Sequence, residues 1–210
     1  TASNKTYDST TSATLGTGAV SYGGIVSGDD FAGSYSGVFS DKNVGTGKTV
    51  NITSSYSGAD VNNYSVTDQS STTANITAKS LTVSGITASD KTYDGSTSAT
   101  LTGSAVYSGL VSGDTFNGTY TGVFSDANVG TGKTVTITPS YSGADVNNYS
   151  VTDQSSTTAN ISAKALTATA SASNKTYNAT NSASVTLTLS GLVGSETLGS
   201  TNTSTFNNKN

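Results

Sequence analysis

Thr134-Val135-Thr136-Ile137-Thr138 alternates hydroxyl and apolar side chains residue by residue. A period of two describes a strand with one face in a core and the other in solvent. Working outward, the same period continues. Phe116, Gly118, Tyr120, Gly122 and Phe124 share one face of a preceding strand. Tyr149 and Val151, then Ala159, Ile161 and Ala163, then Leu166, Ala168 and Ala170 alternate with polar neighbours. Thr, Val, Ile and Tyr suit a pleated, half-buried surface. A helical stripe is missing from every 12-residue window, although a single helical turn fits near 144–148. Between the runs lie Ser112-Gly113-Asp114, Val129-Gly130-Thr131-Gly132-Lys133 and Ser142-Gly143-Ala144-Asp145, which read as turns. Pro139 is expected at a strand end or on an edge, because it cannot donate to a ladder. The expected fold is mainly β: tandem small β-sandwich-like modules in an extended rod. β-Grasp-like modules with one short helix are the alternative.

The alternating stretch sits inside a long internal repeat. Residues 38–79 match 123–164 at 38 of 42 positions, the exceptions being Lys42/Ala127, Asn51/Thr136, Ser54/Pro139 and Thr77/Ser162. Upstream, Asn4-Lys5-Thr6-Tyr7-Asp8-Ser9 returns as Asp90-Lys91-Thr92-Tyr93-Asp94-Gly95 and again as Asn174-Lys175-Thr176-Tyr177-Asn178-Ala179. The first copy gains one residue near 16–24. In the third, Gly191-Leu192-Val193 answers Gly109-Leu110-Val111, and Phe206-Asn207-Asn208-Lys209-Asn210 answers Phe124-Ser125-Asp126-Ala127-Asn128. Nothing in the first copy answers Leu81-Thr82-Val83-Ser84-Gly85. A period of 85 exceeds a solenoid rung and suffices for a small domain with its own core. The chain is therefore divided into module 1 (1–79, lacking its first strand), module 2 (80–164, complete) and module 3 (165–210, an N-terminal half). With Thr1-Ala2-Ser3 at its head and no initiator Met, it reads as a window on a longer array; strands supplied by a neighbouring chain are the alternative. At the joint, Ala159-Asn160-Ile161-Ser162-Ala163-Lys164 runs into Ala165-Leu166-Thr167-Ala168-Thr169 with no Gly or Pro, unlike a flexible linker. A semi-rigid rod is expected.

Composition narrows the chemistry. Of 210 residues, Ser and Thr make 76, while His, Cys, Met, Trp and Arg are absent and Glu196 is the one Glu. A Ser-His-Asp triad, a cysteine nucleophile and a thiolate or imidazole zinc site are excluded. Nine Lys with a net charge of −4 make a poor counterion-displacing surface, so nucleic acid is not an expected partner. No stretch of 18 apolar residues is present, and no membrane span is expected in this segment. A Ser/Thr/Gly-rich chain without thiols or thioethers suits an exported protein.

The ordered series Lys91-Thr92-Tyr93-Asp94-Gly95, Gly109-Leu110-Val111-Ser112-Gly113-Asp114, Phe124-Ser125-Asp126-Ala127-Asn128-Val129-Gly130, Ser142-Gly143-Ala144-Asp145-Val146-Asn147-Asn148-Tyr149 and Ala159-Asn160-Ile161-Ser162-Ala163-Lys164 covers essentially the whole chain. It resembles the YDG-type repeat module, related to MBG modules, of large bacterial surface proteins such as filamentous-haemagglutinin-like adhesins. The third copy departs from the pattern, with Asn178-Ala179 in place of Asp-Gly. The resemblance implies tandem mainly-β modules in an extracellular, cell-surface stalk and carries no catalytic or ligand residues.

Two chemical readings of particular residues stand beside plainer ones. Lys91, Asn148 and Asp94 are the residue types of an intramolecular isopeptide bond; the plainer reading packs Tyr93 and turns the chain at Asp94-Gly95. Asp29, Asp30, Asp114, Asp126 and Asp145 are candidate Ca2+ ligands, although Ca2+ needs about 6–8 oxygens, and the plainer reading makes them turn caps. Tyr120 and Tyr149 are expected in the core rather than stacked on sugars. The expected function is non-enzymatic and cofactor-free: a spacer projecting a distal binding domain. Its partners are neighbouring identical repeats or chains, with host or matrix glycans met through the distal domains. A carbohydrate- or matrix-binding adhesive module is the alternative.

Overall fold

A computed structural model describes residues 1–16 and 20–208. The residue gained near 16–24 therefore falls partly outside the described residues, as do Lys209 and Asn210 of the third-copy match. The fold is mainly β. The first repeat contributes β1 (Lys5–Thr6), β2 (Ser12–Ala13), β3 (Ala32–Phe39), β4 (Gly45–Ser57) and β5 (Ser71–Thr77), which form one sheet in the order β1-β5-β4-β3-β2. The second contributes β6 (Lys79–Ser84), β7 (Thr87–Ala88), β8 (Lys91–Thr92), β9 (Ser98–Ala99), β10 (Leu101–Thr102), β11 (Val106–Ser108), β12 (Asn117–Phe124), β13 (Gly130–Ser142), β14 (Tyr149–Thr152) and β15 (Ser156–Ser162). Its large sheet, β8-β15-β13-β12-β9, repeats the first; β11-β6-β14 and β10-β7 are smaller ones. The third contributes the hairpin partners β16 (Thr167–Ala172) and β17 (Val185–Ser190).

Alternation fixes which side chains go inside. In β12 and β13 the buried positions include Phe124, Val135 and Ile137, with the intervening threonines exposed. The helical turn expected near 144–148 is a single 3-10 turn over Val146–Asn148, repeated at Val61–Asn63. Pro139 lies within β13 rather than at its end. Pairing with β15 runs out beside it, at the Ile137 amide donating to the Ser155 carbonyl, so the missing N–H interrupts nothing there. Among the described residues, β1 with β5, β8 with β15 and β14 with β6 pair in parallel. The alternation of Leu166, Ala168 and Ala170 does not produce a buried face: β16 is exposed along its length and Leu166 is 42% exposed. Ala163, beyond the end of β15, is exposed too. A period of two marks a face, but only a covering layer buries it.

The packing divides the chain into two compact units. One comprises Thr1–Gly85, Ser104–Tyr120 and Pro139–Gln154; the other comprises Ile86–Gly103, Thr121–Thr138 and Ser155–Asn210. In the first, one continuous cluster joins Tyr7, Phe39, Val50, Ala74 and Ile76 of the first repeat to Leu81, Phe116 and Tyr149 of the second. A separate core for every repeat was expected from the 85-residue period; in this unit the core is shared. The second unit has its own cluster of Phe124, Val135, Ala159 and Ile161.

Candidate functional site

The Lys-Thr-Tyr element at the head of each repeat builds the same lysine-centred loop. Lys91 Nζ pairs with Asp94 at 2.7 Å and donates to the Ser96 and Ser98 carbonyls at 2.9 and 3.2 Å, while the Asp94 carboxylate accepts the Ser96 amide at 2.8 Å. Lys5 does the same with Asp8, Thr10 and Ser12, and Lys175 with Asn178, Thr180 and Ser182. Each ammonium also lies over an aromatic ring, of Phe39, Phe124 or Phe206, at 5.6–5.8 Å from the centroid. The bond from Lys91, with those from Ser96, holds the Asp94 carboxyl down at about 2. Of the three isopeptide candidates, the structure thus joins Lys91 to Asp94. It engages Asn148 elsewhere, on Asn43 and the Val44 amide.

The loop sets the aim of the following tyrosine. In the first unit Tyr7 is 1% exposed, and its hydroxyl donates to Asp145 Oδ1 at 3.3 Å. Its ring meets Tyr149 edge-on at 5.6 Å between centroids. Lys42 completes the contact between repeats. Its ammonium lies 2.8 Å from Asp145 and 3.6 Å from Asp114, both carboxylates being nearly buried, and donates to Ser9 Oγ at 3.2 Å. Ser9 donates in turn to Asp114 at 2.8 Å, and Tyr149 donates to the other Asp114 oxygen at 2.6 Å. Ser9 holds a left-handed backbone (φ 64°), a conformation costly for a residue with a Cβ and steadied here by its two side-chain bonds. Asn148, 3% exposed, accepts the Val44 amide at 2.9 Å across the same contact.

Electrostatics follow from this geometry. The hydrogen bond from Lys42, then that from the Thr115 amide, lowers the Asp145 carboxyl. Burial pushes Asp114 up, yet the bonds from Tyr149 and Ser9 prevail and hold it below the ordinary value. Burial, reinforced by Asp114, pushes the Tyr149 phenol up to about 12. The Asp145 bond raises Lys42 above an ordinary lysine. Two carboxylates face one ammonium and two phenols. That is a satisfied polar network suited to holding two surfaces together.

The other Ca2+ candidates have comparable occupations. Asp126 pairs with Lys133 at 2.6 Å, Asp29 accepts the Tyr64 hydroxyl at 2.5 Å, and Asp30 accepts the Ala59 amide at 3.0 Å. Among the described residues no three carboxylates converge. Sequence reading passed over Lys42 and Tyr7, although Lys42/Ala127 is one of only four differences between the long copies. In the second unit Tyr93 donates to Glu196, the residue aligned with Asp114. Tyr177, at the head of the third repeat, is 68% exposed.

The first repeat also carries a cleft of about 880 Å3, whose lining includes Tyr22, Phe31, Tyr35, Ile52, Tyr56 and Tyr64. Phe31 is its hub, with Tyr22, Tyr56 and Tyr64 centred 5.1, 5.4 and 5.5 Å away.

Tandem β repeats, joined in the first unit by a buried tyrosine and a charge network, are the class of protein that this fold defines. The YDG domain model matches twice, over residues 1–74 and 77–159, so the chain belongs to the YDG domain family. No curated protein and no solved structure matches it.

Proposed function

We propose that this segment is a structural spacer of an extracellular bacterial surface protein, an adhesin or filament, whose repeats project a distal binding domain and set its reach. The observation that carries this reading is the shared core of the first unit, where Tyr7 of one repeat is buried against Tyr149 and Asp145 of the next. A joint closed by burial and a charge network resists bending in a way that a polar linker does not. Asp114, Asp145, Lys42 and Tyr149, whose protonation is shifted at that contact, serve the joint, and the chemistry assigned to them is mechanical. Neighbouring repeats are the partners of this segment, and glycans would be met by the distal domain.

Small-angle scattering on the full chain, with a glycan array beside it, tests the proposal. The expected result is a distance distribution of one fixed length and no saturable glycan binding at millimolar or tighter affinity. A distribution that broadens as two bodies swing about residues 79–81 would overturn the spacer. Saturable glycan binding would replace it with the adhesive-module reading.

A further inference from the structure

The cleft of the first repeat has a filled counterpart in the second. There, β6 lies between β11 and β14, antiparallel to one and parallel to the other, with Tyr149 opposite Lys79 and Val151 opposite Leu81. Leu81 and Val83 are 0% and 3% exposed. The aromatic group beside this strand is the same as in the first repeat: Phe116 is ringed by Tyr107, Tyr141 and Tyr149 at 5.3, 5.0 and 5.8 Å. Phe116 and Tyr149 are buried, whereas Phe31 and Tyr64 are half-buried. Residues 149–152 form a strand; residues 64–67, identical in sequence, do not.

A glycine records the missing neighbour. Gly109 runs so close to β6 that a Cβ there would come within 2.5 Å of the Ser80 carbonyl oxygen. Its third-repeat counterpart, Gly191, would meet the Ala165 carbonyl oxygen at 3.0 Å. At Gly24, the first-repeat counterpart, nothing among the described residues lies within 4 Å of that position. All three have positive φ, between 90° and 103°. The backbone that accommodates a passing strand is therefore already shaped in the first repeat.

We propose that this cleft is the seat of one β-strand of the Lys79–Ser84 type, adding parallel to residues 64–67. Its two alternate apolar side chains fill the space that Leu81 and Val83 occupy in the second repeat, and its second carbonyl passes over Gly24. The occupant is a strand that runs on into Thr1, as Lys79–Ser84 runs on through Gly85 and Ile86 into Thr87. Strand addition of this kind draws affinity from main-chain hydrogen bonds and specificity from pockets for alternate side chains. The inference stands apart from the spacer reading, since it concerns how a repeat is completed and not what the array carries.

The test compares the 210-residue chain with a version carrying the sequence of residues 79–86 ahead of Thr1. Amide hydrogen exchange and thermal melting are read on both. The added stretch is expected to slow exchange at residues 64–67 at least tenfold and to raise the melting temperature. A control with its leucine and valine both replaced by aspartate should do neither. Unchanged exchange and melting would overturn the proposal. So would finding residues 64–67 already protected in the unextended chain through concentration-dependent self-association, which would give the cleft to a second copy.

Discussion

Residues 64–67 and 149–152 are the same four amino acids, Tyr-Ser-Val-Thr, yet only the second set is a strand. The flanking 42-residue stretches differ at four positions, none of them within this tetrapeptide. What differs is the neighbour: β6 pairs with 149–152, and among the described residues no part of the first repeat stands in its place. Strand propensity is thus a capacity to fit a pleated surface, realised only when a partner supplies the hydrogen bonds. The joints make the same point. Tyr7 and Tyr177 begin the same motif, but one is 1% exposed and the other 68%, because only Tyr7 has a following repeat packed on it within the described residues.

The comparison can be broken most strongly at Tyr7. Tyr7→Ala removes a fully buried ring from the shared core and is expected to cost about 3–5 kcal/mol in denaturant unfolding. A loss confined to a fraction of a kcal/mol would show that the two repeats are stable without each other. Leu81→Ala should make the second repeat behave more like the first, costing about 2–5 kcal/mol and speeding amide exchange at residues 149–152 towards the rate at 64–67.

The glycines sharpen the contrast. Gly24→Ala meets only the left-handed backbone, a cost of about 1–2 kcal/mol. Gly109→Ala meets that and the Ser80 carbonyl, adding about 1–3 kcal/mol of overpacking. Equal effects from the two variants, measured by urea titration, would remove β6 as the cause.

The joint also dictates a pH dependence. Asp114 and Asp145 titrate below an ordinary aspartate. Their contribution is complete above the ordinary carboxyl pKa of about 4 and is lost as pH falls through their lower folded values. At the alkaline end Tyr149 stays protonated up to about 12. Its contribution holds below the unfolded phenol pKa of about 10 and is lost between there and its folded value. Lys42→Ala should shift the acid limb of a melting-temperature profile to higher pH, since the leading cause of the Asp145 depression is gone. The smallest expected effect is at Ala127, which stands where the first repeat has Lys42. Ala127→Lys restores the cation opposite a joint that carries Glu196 and should add about 0.2–1 kcal/mol, read as a small rise in melting temperature that salt abolishes.

Much of the site was legible in pieces. Alternation in 134–138 placed Val135 and Ile137 inside, and Asp-Gly after Tyr93 marked a turn, which the Asp94–Ser96 bond makes. Lys91 admits an isopeptide reading beside the plainer one because nothing local says that its ammonium finds two carbonyls five and seven residues ahead. The Tyr7 network draws on residues more than 100 positions apart, Ser9 with Asp114 and Val44 with Asn148, and no local pattern joins them.

By itself, then, the sequence determined the period of two, the near-identity of the copies, the turn positions and the absence of imidazole and thiol chemistry, because each follows from side-chain identity or from spacing along the chain. Only the tertiary structure decided that two repeats share one core, that Tyr7 is buried and Tyr177 is not, and that one copy of Tyr-Ser-Val-Thr is a strand while the other lines an open cleft. Burial and sheet pairing are properties of what lies across a contact, and two identical stretches with different neighbours have different answers.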